Sequence, residues 1–136
     1  MIDNIELFNK KLLEFAEDLI FLCPEVNNFR IFRDTSIAAI KLDKGFARGL
    51  FHICVYEPYY DQVMNKDESF FLRESFKEYD RFLEEWQQDM NLVQQIKKIW
   101  LDLDDKNKET IWTYLRVLLA LNKKCIESSW HGLQGT

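Results

Sequence analysis

Glycine and proline are scarce in this chain, with four glycines and two prolines among 136 residues. Collagen-like chains, flexible linkers and β-sandwiches with many turns need more of both residue types. Because so few breakers interrupt the chain, its composition favours helices. A hydrophobic content of 47% is ample for a packed core, and the length is close to the commonest size of one domain.

Histidine is also scarce, and the two present, His52 and His131, lie far apart without an HExxH or a Cys/His pattern. His52 lies in an apolar run and is interpreted as a core histidine with satisfied hydrogen bonds. The glycines form neither a GxGxxG motif nor a P-loop. The sequence therefore predicts no catalytic, cofactor-binding or metal-binding residues and a protein that is not an enzyme, with an unrecognised enzyme as the minority alternative.

One acidic stretch, DLDDKNKE from Asp102 to Glu109, invites comparison with an EF-hand loop. Counted from Asp102, its fifth residue is Lys106 and its sixth is Asn107, where an EF-hand needs an oxygen ligand and a glycine. The stretch is interpreted as a turn that caps a helix.

The three cysteines, Cys23, Cys54 and Cys125, are far apart and form no CxxC pair. The N-terminus has no basic and then apolar leader. The longest apolar runs are far shorter than the roughly 20 residues that cross a bilayer. These features predict buried free thiols, a reducing intracellular setting and no membrane span.

The net charge of −5 argues against wholesale wrapping of nucleic acid, which rewards many basic residues. Basic residues nevertheless outnumber acids five to two from Val26 to Leu50. Four of them share one face of a predicted helix and are the candidate contact for an anion or nucleic acid: Arg30, Arg33, Lys41 and Lys44. The alternative is a solvated face whose aliphatic stems cover apolar surface.

The N-terminal half predicts three helices. A stripe spaced three and four residues apart predicts the first, formed by Ile5, Phe8, Leu12, Phe15, Leu19 and Leu22. Asp3 and Glu6 have the spacing of a capping pair, and Pro24 is predicted to stop the helix. The second is predicted to be capped by Asn27 or Asn28 and to end before residue 43. The third is a buried helix from residue 46 that Pro58 ends, although its composition also suits a strand.

The C-terminal half predicts an α-hairpin. A long amphipathic helix from residue 78 carries Trp100 and Leu103 at its end, and a following helix carries Trp112. Residues 1–127 are assigned to an all-α single-domain bundle of about five helices, and residues 128–136 to a flexible tail. Asp67 or Ser69 is predicted to cap a short turn of helix that carries Phe70, Phe71 and Leu72.

Three aromatic residues are candidate protein-interface residues: Phe70, Phe71 and Trp130. The first two lie in the block DESFFL and are either turned inward or displayed together. An exposed aromatic pair usually marks an interface.

Three blocks resemble the small helical proteins of nucleocytoplasmic large DNA viruses: a leading amphipathic helix that ends at Pro24 and Glu25, the block from Glu68 to Leu72, and the closing stretch from Trp100 to Leu121. The resemblance implies a virus-encoded structural or assembly protein, such as a minor capsid component, in the virion or the host cytoplasm. It implies other viral proteins, or further copies of this chain, as partners. An accessory subunit that contacts nucleic acid is the alternative.

Overall fold

The computed structural model describes residues 3–69 and 92–134, with side chains described for residues 3–69 and 95–128. These residues form five helical arms and contain no strand, which confirms the all-α bundle. The helices are α1 (Asn4–Leu22), α2 (Asn27–Leu42), α3 (Phe46–Phe51), α4 (Glu57–Met64), α5 (Leu92–Lys97) and α6 (Asp105–Gln134). A π-segment (His52–Tyr56) joins α3 to α4, so these three pieces form one arm.

Helix α1 begins where its capping pair predicts, because the Asp3 carboxylate accepts a 2.7 Å hydrogen bond from the backbone N–H of Glu6. Its predicted stripe faces the core: Phe8, Leu12, Phe15 and Leu19 are buried, and Ile5 and Leu22 are half-buried. The helix ends at Leu22, two residues before Pro24, as predicted.

Two local predictions are wrong. Helix α2 has Val26 at its N-cap, without a side-chain hydrogen bond, so neither Asn27 nor Asn28 caps it. Pro58 does not end the third helix. It lies in the first turn of α4, where a missing backbone N–H costs no helical hydrogen bond, and the chain kinks at Tyr59 (φ −132°, ψ 18°).

Helices α1 and α6 run antiparallel. Lys44 reaches Asp3 and Ser128 accepts from Asn4 at one end of the bundle, whereas Tyr114 donates to Asp18 farther along α1. We call the end that holds Lys44 the tail end and the opposite end, with the chain turn at residues 98–104, the head end. The two lie about 28 Å apart, the length of α1.

Aromatic contacts join the elements of the bundle. Phe8 meets Phe51 edge-on at 5.3 Å between ring centroids, and Phe15 stacks on Tyr114 at 4.7 Å. Trp100 and Trp112 also pack edge-on, at 5.3 Å. Burying one such side chain fully stabilises the fold by about 1.5–3 kcal/mol.

The tryptophan hairpin stays a prediction. Helix α5 ends at Lys97 and Trp100 begins a short 3-10 turn, while most of the predicted first arm lies outside the described residues. The predicted N-cap of the second hairpin helix, which is α6, is confirmed, since the Asp104 carboxylate accepts a hydrogen bond from the backbone N–H of Asn107 at 2.8 Å. Helix α6 continues to Gln134, through the segment assigned to the tail, whose flexibility stays a prediction.

Candidate functional site

The structure gives local partners to three of the four predicted anion-contact residues. Arg30 donates to the carbonyl of Pro24 at 2.6 Å. Arg33 lies between two carboxylates, 3.0 Å from Asp34 and 3.2 Å from Glu17, which raise the pKa of its guanidinium. A phosphate at this face would have to compete with these partners.

The other two predicted anion-contact residues, Lys44 and Lys41, differ in whether they form an ion pair. Lys44 forms a 2.8 Å ion pair with Asp3, which raises the pKa of the ammonium group. Lys41 is exposed, and no ion pair to it is found among the described residues. The prediction that all four share one helix face is wrong, because α2 ends at Leu42 and Lys44 lies in the turn that follows it. The four side chains do not form one free cationic surface.

The predicted interface residues lie outside the described side chains. Phe70 and Phe71 fall in the segment between residues 69 and 92. The backbone of Trp130 belongs to α6, and its side chain is not described. The Asp67 carboxylate accepts a hydrogen bond from the backbone N–H of Ser69 at 3.0 Å, whereas the helical turn that it is predicted to cap, at residues 70–72, lies outside the described residues.

In the described part of the chain, four polar side chains are joined by hydrogen bonds between the α3–α4 arm and α6. We call them the polar row: Arg48, Asn122, His52 and Glu57. Arg48 donates to the Asn122 amide oxygen at 2.7 Å, and the Asn122 amide nitrogen lies 3.0 Å from His52 Nδ1. His52 Nε2 lies 2.9 Å from the Glu57 carboxylate. Asn122 is fully buried, so both of its amide hydrogen bonds form away from water.

The order of donors fixes the histidine tautomer. Because Arg48 can only donate, Asn122 must present its oxygen to Arg48 and its NH₂ group to His52. His52 Nδ1 is therefore an acceptor, and Nε2 carries the hydrogen that is donated to Glu57. With both ring nitrogens engaged, the imidazole holds the helices in register and has no nitrogen free to take a proton from a substrate.

The π-segment brings this row together. His52 and Glu57 are five residues apart, which puts them about 140° apart around an α-helix. A π-turn has i to i+5 hydrogen bonds and brings such residues to one side. The interpretation of His52 as a histidine with satisfied hydrogen bonds fits this geometry, although a quarter of its side chain is exposed.

Sequence reasoning missed Arg48, Asn122 and Glu57. A signal for Asn122 was present, because it continues the buried spacing of Leu115, Leu118 and Leu119 along α6. A polar residue on an apolar stripe must find hydrogen-bond partners inside the fold. The spacing of His52 and Glu57 gave no signal, since it is unremarkable in an α-helix.

The cysteine thiols are confirmed as free and buried. Burial raises the pKa of Cys23 and of Cys125, which keeps both thiols protonated. Within the described residues, no group of three histidine, cysteine or acidic side chains could hold a metal ion. No helix in the described part of the chain is long and apolar enough to cross a membrane.

A groove of about 640 Å³ lies between α1 and α6. It borders the Tyr114–Asp18 hydrogen bond, and its polar groups are largely satisfied by the protein itself. Thr110 and Thr113 each donate to a backbone carbonyl of α6, and Lys11 pairs with Glu14. The groove therefore offers mainly apolar surface.

The largest exposed apolar side chains lie at the two ends of the bundle. At the head end, Phe21 is 85% exposed and Leu101 is 78% exposed. Cys23 lies at the same end, where burial, then Glu25 and Asp102, raises the pKa of its thiol. At the tail end, Leu42 is 91% exposed.

No protein-family model, curated protein or solved structure matches this chain.

Proposed function

We propose that this protein is a non-enzymatic structural or assembly protein that acts through protein–protein contacts, beginning with contacts between its own copies. The observation that carries the proposal is the exposure of Phe21 and Leu101 together at the head end. Neighbouring exposed apolar groups of this size usually mark an interface.

The charges around these two side chains favour a second copy of the chain as the occupant. Glu25, Asp102 and Asp104 are acidic, whereas Arg30 and Lys98 are basic, so the head end carries both signs and nearly balanced charge. A strongly charged partner would gain little there. Two copies of a balanced surface can instead pair opposite charges around an apolar centre.

The resemblance to small helical proteins of large DNA viruses adds a setting to the proposal. In that setting the chain is a virion-associated protein, such as a minor capsid component, with other viral proteins as further partners. Mass spectrometry of purified virions tests the virion role. If the protein is absent from the virions, that role is refuted, and the proposal of self-association is unaffected.

Light scattering tests the self-association directly. We expect the wild-type chain to form a dimer or larger assembly that persists from about 50 to 500 mM salt, because apolar contacts are weakly screened. Phe21→Ser with Leu101→Ser should return the mass to that of a monomer. The control is Ile126→Ser, which removes a less exposed apolar side chain from α6. A wild-type monomer at every concentration would refute the proposal.

The alternative, an accessory subunit that binds nucleic acid through Arg30, Arg33, Lys41 and Lys44, stays a second proposal. Three of these bases would have to leave their present partners. Adding short duplex DNA to the same measurement tests it, and binding that survives alanine at all four positions would remove it.

A further inference from the structure

A second groove, of about 340 Å³, lies between α4 and α6 on the flank of the bundle. Tyr60 and Met64 form its α4 wall, and Arg116, Lys123 and Lys124 belong to its α6 wall. Its volume falls within the range of small-molecule sites, about 300–1,000 Å³. The described residues that line the groove between α1 and α6 include two lysines and two acids, whereas those that line this groove include three bases and one acid beside its tyrosine.

The tyrosine of this groove is supported by a ladder of rings. Tyr60 packs edge-on against Tyr56 with 5.3 Å between ring centroids, and Tyr56 stacks on His52 at 5.1 Å. His52 is in turn held by Asn122 and Glu57. The aromatic wall is therefore positioned by the polar row that contains the buried Asn122, before any ligand binds.

The basic wall is positioned by α6. Arg116 donates to the backbone carbonyl of Met64, which fixes its guanidinium beside the groove. Lys123 and Lys124 are exposed, and no ion pair to either is found among the described residues. Among the described residues that line the groove, Glu127 is the only acid, so three cations face one carboxylate in a chain whose net charge is −5.

We propose that this groove binds a nucleotide, with the base stacked on Tyr60 and the phosphate held by Lys123 and Lys124. Aromatic faces beside basic side chains are the arrangement that binds single-stranded nucleic acid, since every base has a π-face and every link a phosphate. A free nucleotide and a nucleotide unit of a single strand share this chemistry. The site is separate from the head end, so it extends the function beyond self-association.

The test is a titration of the full chain, followed by NMR, with adenosine monophosphate and with a short single-stranded oligothymidylate. Lys123→Gln with Lys124→Gln should weaken binding at least tenfold, and Tyr60→Leu roughly tenfold, as expected for loss of one stacked base. The matched control is Lys10→Gln with Lys106→Gln, which removes the same charge from other exposed positions. It should leave the affinity within twofold.

The oligonucleotide separates the two sources of nucleotide. If the single strand is the ligand, it binds more tightly than the monophosphate, and the double lysine variant loses about 1.4 from the slope of log K against log salt. Equal affinity for both assigns the free nucleotide. Absence of shifts at the groove with either ligand, or unchanged affinity in both groove variants while circular dichroism shows them folded, overturns the inference. Neither result alters the light-scattering mass that tests self-association.

Discussion

Replacing Asn122 with leucine tests how much the hydrogen bonds of the polar row contribute to the stability of the fold. Leucine keeps the branched outline of asparagine, with added bulk that the control below shares, and leaves an Arg48 N–H and His52 Nδ1 without their partner. Loss of the hydrogen bond to the charged guanidinium costs about 1.5–3 kcal/mol and loss of the neutral one about 0.5–1.5. We therefore expect the free energy of unfolding to fall by about 2–4 kcal/mol, measured by urea denaturation followed by circular dichroism.

A second buried asparagine supplies the control. Asn9 is 6% exposed and donates one hydrogen bond, to the carbonyl of Lys44 at 2.9 Å. Asn9→Leu should cost only about 0.5–1.5 kcal/mol, because one neutral hydrogen bond is lost. An Asn122→Leu variant that is no less stable than Asn9→Leu would refute the assignment of the row as a joint between α6 and the α3–α4 arm.

Three further predictions concern ionisable groups. The hydrogen bond from Lys44, and then that from the Glu6 N–H, lowers the pKa of Asp3, so its stabilisation is present above about pH 4 and is lost at lower pH. Asp3→Asn should therefore lessen the fall in urea midpoint on acidification. Burial, then the hydrogen bond to Asp18, raises the pKa of Tyr114 to about 12, so its stabilisation is present below about pH 10 and is lost as the pH rises towards 12. Ultraviolet titration should show one late tyrosinate step that Tyr114→Phe removes, and a step missing from the wild type would contradict the contact. Because burial raises the pKa of Cys23 and Cys125, both should react with a thiol reagent far more slowly in the native chain than in urea.

The helices with a strict apolar period could be predicted from the sequence. The spacing in α1 identifies four buried residues and two half-buried ones, and a single capping pair sets its start. Such local rules need only neighbours within one or two turns. Pro58 shows the limit of such local rules. A proline can end a helix or lie in its first turn, and here it lies in the first turn of α4, directly after the π-segment.

The candidate sites were harder to predict because distant residues decide them. The spacing of Arg33 and Lys44 predicts one shared face, yet α2 ends before Lys44, and the two bases pair with Glu17 and with Asp3 at opposite parts of α1. The groove between α4 and α6 likewise joins Tyr60 to lysines more than 60 positions away. Local periodicity says which face a residue occupies, but not which element packs against that face.

The last prediction is that the polar row and the groove between α4 and α6 are energetically coupled. Asn122→Leu removes the support of His52, and hence of the Tyr56 and Tyr60 rings, so we expect it to weaken nucleotide binding even where the variant is fully folded. Ile111→Ala is the matched control, since it removes a fully buried side chain about 18 Å along α6 from Lys123 and costs about 2–5 kcal/mol. At a temperature where both variants are folded, only Asn122→Leu should lower the affinity. Equal affinity in the two would mean that the ring ladder does not position the binding surface.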